Sequence, residues 1–110
     1  MRLIEQQMIS AIKDNKTFCK DNTSVTYNYQ TKTSSVYLHS NLIATVGDNY
    51  LEIFDGGWQS NTTKSRLNAL INGLCDGTMC GVFQKNYEWF IHDHIDTIEF
   101  DNGYTFSRVN

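Results

Sequence analysis

Two stretches of the chain carry apolar residues at helical spacing, and each is followed by a block of short alternating segments. That order limits the available folds more than any motif does. In the first stretch Leu3, Ile4, Met8, Ala11 and Ile12 recur every three or four residues. Residues 3 to about 15 are expected to form an amphipathic helix, closed against the core by Phe18 and Cys19. In the second, Leu67, Leu70, Ile71 and Leu74 make one narrow helical stripe, with Asn61 or Thr62 as the expected cap and Gly77 as the expected stop.

Between the helices, "DNTS" at 21 to 24 and "QTKT" at 30 to 33 are turn clusters. Val25, Tyr27 and Tyr29 alternate as in a half-buried strand, and Val36 and Leu38 alternate with Tyr37 and His39. Asn41 is expected to break the chain before a strand over Leu42–Val46, and "GDN" at 47 to 49 to turn it into Tyr50–Phe54. After the second helix, Gly81–Gln84 and Tyr87–Ile91 read as a hairpin around Lys85 and Asn86. Ile95–Phe100 and Tyr104–Arg108 flank Asn102-Gly103, a pair suited to a type I′ turn, so they too are expected to form a hairpin. The order α-ββββ-α-ββββ predicts an α+β fold: a mainly antiparallel sheet of about six to eight strands with two helices packed on one face.

The 110 residues suffice for a single domain, 1–110, and 40% apolar content supplies its core. No run approaches the roughly 20 apolar residues of a membrane span. The N-terminal segment, interrupted by Glu5 and two Gln, does not read as a secretory signal, and three cysteines are an odd number. The expectation is reduced thiols in a cytoplasm and no membrane association. A net charge of −3 argues against a general nucleic-acid binder. Between Asn86 and Ser107 there is no Lys or Arg, while Glu88, Asp93, Asp96, Glu99 and Asp101 all fall there. Asp93, Asp96, Glu99 and Asp101 are therefore expected to form an acidic surface for a basic partner.

The start of the second helix is the other candidate site. Its first turn has amide N–H groups without helical acceptors and about half a positive dipole charge. Lys64 and Arg66 add two cations on opposite flanks of the stripe, with Ser65, Ala69 and Asn72 pointing away from it. A phosphate or a partner's carboxylate, held by Thr62, Thr63, Lys64, Ser65 and Arg66, would relieve that crowding. The ordinary alternative is that Asp55 pairs with one cation and water solvates the other. The segment lacks the G-x-x-x-x-G-K-[ST] pattern of a P-loop.

His92 and His94 lie two apart with Asp96 beyond, which on a strand would place all three on one side. A solvated acidic patch is the plainer reading, and no metal site is expected. Cys75 and Cys80 form no C-x-x-C pair and are expected to be buried, inert thiols. Tyr27, Tyr29, Tyr37, Tyr50, Tyr87 and Trp89 could stack bases, but most are expected in the core or in cross-strand pairs. Paired carboxylates, a nucleophile triad and a metal motif are all missing, so no enzyme and no cofactor are expected.

"GGWQSNTTKSRLNAL", with "GVFQKNYEWFI" downstream, resembles a group of small bacteriophage proteins. They share an N-terminal helix like that over residues 4–13, a strand like 36–44, a G-W-x-[ST]-N-T-T-K-x-R-L-N-A core matching 57–69, and an F-Q-K-N-x-x-W segment matching 83–89. The resemblance covers nearly the whole chain and carries over no catalytic residues. It implies a small phage accessory protein in the cytoplasm of an infected bacterium, binding and modulating or inhibiting a host protein, for instance as an anti-defence factor such as an anti-CRISPR. The alternative is a phosphate, nucleotide or nucleic-acid binding module built on the second helix's start. An uncovered sheet edge would also allow a homodimer.

Overall fold

The structure, a computed structural model, describes residues 1–109. Helix α1 spans Leu3–Lys13 and α2 spans Asn61–Leu74. The strands are β1 (Phe18–Lys20), β2 (Thr23–Asn28), β3 (Thr33–Leu38), β4 (Asn41–Val46), β5 (Tyr50–Ile53), β6 (Cys80–Lys85), β7 (Glu88–Asp93), β8 (Asp96–Glu99) and β9 (Tyr104–Ser107). The fold is α+β and every strand pair is antiparallel. The strands number nine and lie in two sheets, ordered β1-β2-β3-β4-β5-β9 and β6-β7-β8.

The large sheet turns one face to the helices. Val25, Val36, Leu38, Val46, Leu51, Ile53 and Phe106 point inward and meet Met8, Ile9 and Ile12 of α1 and the α2 stripe. Leu67, Leu70, Ile71 and Leu74 are all fully buried, as their spacing predicts. Register shifts between Val36 and Tyr37 leave Ile43 opposite no partner, so Ile43 and Ala44 are buried in succession. This bulge breaks the period of two in β4.

Five local expectations are corrected. The turn between β3 and β4 is His39-Ser40, both at positive φ, and Asn41 opens β4 instead of breaking it. Phe18 packs against the core as expected, from a short edge strand, but Cys19 on that strand is exposed. In α1 the buried face takes Glu5 and Ile9, while Leu3 is 63% exposed. Helix α2 is capped by Ser60, whose side chain accepts from the Thr63 amide, and ends at an extended Cys75 without a left-handed glycine. Finally, β8 and β9 form no hairpin. Asn102 and Gly103 do take positive φ, but β8 pairs with β7 while β9 crosses to the edge of β5. Phe106 and Tyr104 find Leu51 and Ile53 opposite them there, and Phe100 stays behind against Trp89, ring centroids 6.2 Å apart. Burial of these aromatics outweighs what a two-stranded ribbon with an exposed β8 would gain.

Candidate functional site

At the start of α2, the charge conflict is resolved from inside. Arg66 is 4% exposed and its Nη1 donates to Glu5 Oε2 at 2.8 Å, while Nε donates to Thr23 Oγ1 at 3.0 Å. Ser65 Oγ donates to the same Glu5 oxygen at 2.6 Å. Glu5 Oε1 accepts from the Arg2 amide at 3.2 Å, at the start of its own helix. One carboxylate thus joins the start of α1, through the Arg2 amide, to the Ser65 and Arg66 side chains of α2. Burial alone would push the Glu5 carboxyl up; Ser65, the Arg2 amide and Arg66 outweigh it and hold the group below the ordinary carboxylate value.

The five residues expected to hold an anion therefore separate. Thr63 is buried, with its hydroxyl donating to the Trp58 carbonyl at 2.9 Å. Ser65 and Arg66 are spent on Glu5. Thr62 and Lys64 remain half-buried at the surface, and among the described residues no carboxylate lies within ion-pair distance of Lys64. Asp55 does not pair with either cation; it accepts from the Gly57 amide and from Gln59. A cleft of about 490 Å³ opens beside this helix start, lined by Leu38, Ile43, Asp55, Trp58 and Thr62 among others. Its walls combine apolar side chains with a carboxylate, a poor setting for a phosphate.

The acidic residues also divide. Asp96, Glu99 and Asp101 are exposed. Asp93 turns inward and accepts from Tyr104 Oη at 2.6 Å, so it is a structural group as much as a surface charge. The outer face of the small sheet follows from register. Val82, Trp89 and Ile91 are buried, so the alternate residues look outward. Phe83, Phe90 and Glu99 form one cross-strand row, with the two rings stacked 5.6 Å apart. Lys85 with Glu88 and His92 with Thr97 make the rows on either side. At the two turns Tyr87 and Ile95 are 95% and 93% exposed. The result is an aromatic centre with a polar rim in which Glu88 faces Lys85 and Glu99 stands beside the rings, while Asp96, opposite the inward-turned Asp93, lies on the other face. The tyrosines do not assemble into a platform: Tyr27 and Tyr29 meet edge to face near the β2–β3 turn, and Trp89 is buried.

A third grouping went unseen in the sequence. Cys80 opens β6 opposite Asp93 at the end of β7, and His94 follows in the turn, its amide donating to the Met79 carbonyl at 2.7 Å. Cys80 Sγ lies 3.4 Å from Asp93 Oδ1 and 3.9 Å from His94 Nδ1, and Asp93 Oδ1 is 2.7 Å from His94 Nδ1. Asp76 stands on the far side, 3.9 Å from His94 Nε2. These groups border a cleft of about 370 Å³ between the small sheet and β9. Burial, then the bond to Asp93, pushes the Cys80 thiol up to about 11. Burial likewise raises buried Cys75 to about 11. Both thiols are therefore protonated at neutral pH, which does not suit a cysteine nucleophile. His92 lies on the outer face, apart from His94, so the two do not converge.

These observations describe a small α+β protein whose distinguishing surfaces are an aromatic sheet face with a polar rim and a cysteine, aspartate and histidine cleft. The chain belongs to the Kyanoviridae Gp96 protein family, a phage family whose model matches residues 1–107. No curated protein and no solved structure matches it. Among the described residues no helix is long and apolar enough to cross a membrane.

Proposed function

We propose that this phage protein acts in the cytoplasm of the infected bacterium by docking on a host protein and modulating or inhibiting it, as an anti-defence factor would. The observation that carries this reading is the outer face of the small sheet. Phe83 and Phe90 stack there, Tyr87 and Ile95 project at its ends, and Glu99 stands beside the rings, with the Lys85–Glu88 pair on the next row. An apolar centre with a charged rim is the composition of a protein-docking patch. Its charge fits a basic partner surface, such as the nucleic-acid channel of a nuclease, where complementary potentials orient and speed encounter.

The test compares partners retained from infected lysate by the wild type, by Phe83→Ser with Glu99→Lys, and by Thr26→Lys with Thr45→Lys on the large sheet's outer face. A host protein lost only with the first variant supports the reading. Retention of the same proteins by all three removes the small sheet as the docking face. A phosphate site at the start of α2 is the weaker reading, because Glu5 already engages Arg66 and Asp55 lines the adjoining cleft. Nucleotides or oligonucleotides that raise the melting temperature of the wild type, and not of Lys64→Ala, would reverse that preference.

A further inference from the structure

We propose that Cys80, Asp93 and His94 form a binding site for a single zinc-like divalent cation. This site is separate from the docking face and stands or falls independently of it.

The argument is geometric. A tetrahedral zinc bonded to one thiolate, one imidazole and one carboxylate holds its donor atoms about 3.5 Å (S to O), about 3.5 Å (S to N) and about 3.3 Å (N to O) apart, from bond lengths of about 2.3, 2.0 and 2.0 Å. The corresponding separations here are 3.4, 3.9 and 2.7 Å. Two already match within a few tenths of an ångström. The third is a hydrogen bond between Asp93 and His94 that the metal replaces, with the two atoms parting by about 0.6 Å. The three donor atoms come from a strand start, a strand end and a turn, so backbone pairing preorganises them.

The surrounding groups orient the donors as outer-shell partners do. Tyr104 Oη occupies Asp93 Oδ2 at 2.6 Å and leaves Oδ1 facing the cysteine and histidine. Thr78 occupies Asp76 Oδ1 through its amide and hydroxyl, which leaves Oδ2 towards His94 Nε2. For Nδ1 to bind a metal, the imidazole proton must sit on Nε2, where that carboxylate stabilises it. On binding, the Cys80 S–H proton leaves to solvent and a sulfur–metal bond forms. The site stays accessible, since the His94 side chain is 57% exposed at the cleft mouth. One sulfur, one nitrogen and one oxygen favour zinc or cobalt over magnesium or calcium. The fourth position is left to water.

The reduced, full-length protein is titrated with Co²⁺ and then with Zn²⁺. The expected result is one Co²⁺ per chain, a thiolate-to-cobalt charge-transfer absorption, its loss on adding Zn²⁺, and no comparable response to Mg²⁺. Cys80→Ser abolishes that absorption, and His94→Asn weakens binding severely. Tyr104→Phe weakens it by about tenfold, whereas Cys19→Ser, Cys75→Ser and His92→Asn leave it intact. Circular dichroism checks that each variant is folded, and the wild-type spectrum and the exposed His94 variant decide the matter if Cys80→Ser is not. The absence of a thiolate–cobalt band in the wild type overturns the proposal. So does a band that survives Cys80→Ser, or one lost with His92→Asn and kept with His94→Asn.

Discussion

Glu5 and Arg66 are the residues on which the most depends. Each is almost wholly buried, and each has the other as its only opposite charge within ion-pair distance among the described residues. Removing one partner of such a pair strands a buried charge, at about 3–5 kcal/mol. Arg66→Ala is therefore expected to lower unfolding stability by about that amount in urea titration. The double variant Glu5→Leu with Arg66→Met should cost less than the sum of the single changes, because neither charge is then left alone. The pair also bears on pH. Glu5 titrates below its ordinary value in the folded state, so the unfolded chain binds its proton first as pH falls. Its contribution is complete above the ordinary carboxylate range and is lost as pH drops through the lowered folded value. Glu5→Gln should accordingly reduce stability near neutrality and flatten its decline on acidification; an unchanged acid limb would count against this role. At the thiols, Cys75 and Cys80 are held protonated, and Cys19 is exposed. Alkylation at pH 8, read by mass spectrometry, is expected to modify Cys19 well before the other two.

Between elements, α2 is the connector. Its apolar stripe packs under the large sheet, and Asn68 reaches the small one. The Asn68 amide donates to the Val82 carbonyl at 2.9 Å and accepts from the Val82 amide at 2.8 Å, as a neighbouring strand would at the β6 edge. Asn68→Ala leaves both backbone groups without these bonds and should cost about 1–3 kcal/mol, with faster amide exchange at Val82. Ser60→Ala should cost about 1 kcal/mol through loss of the α2 cap. The α2 stripe was legible in the sequence, because four residues at helical spacing admit one face. The α1 face is legible in part: Met8, Ala11 and Ile12 are buried at the expected spacing. Periodicity does not pick out buried Ile9, favours exposed Leu3, and places Glu5 in solvent, since spacing rules treat every carboxylate as solvent-facing. Ser65 and Arg66, 60 and 61 positions away, with the Arg2 amide, make its burial tolerable.

Over the whole molecule, the same limit explains the sites. The acidic bias of residues 86–107 is a property of the string, and Asp96, Glu99 and Asp101 are exposed as that bias suggests. The cysteine, aspartate and histidine cleft depended on register. A turn at Lys85-Asn86 would set Cys80 opposite Ile91. The turn is instead at Asn86-Tyr87, with both residues at positive φ, and that shift of one residue sets Cys80 opposite Asp93. A tyrosine in the left-handed region is disfavoured locally, so no turn rule selects it. The packing of Val82, Trp89 and Ile91 against the rest of the core does.

By itself the amino-acid sequence determined the α+β class, the buried stripe of the second helix, the antiparallel character of the sheets and the acidic bias of residues 86–107, all of which follow from periodicity and charge along a short window. Tertiary structure alone decided that β9 would leave β8 for β5, that Glu5 would meet Arg66, and that Cys80, Asp93 and His94 would share a cleft. Each of those outcomes compares the burial of groups far apart in the chain, and local propensity has no term for that comparison.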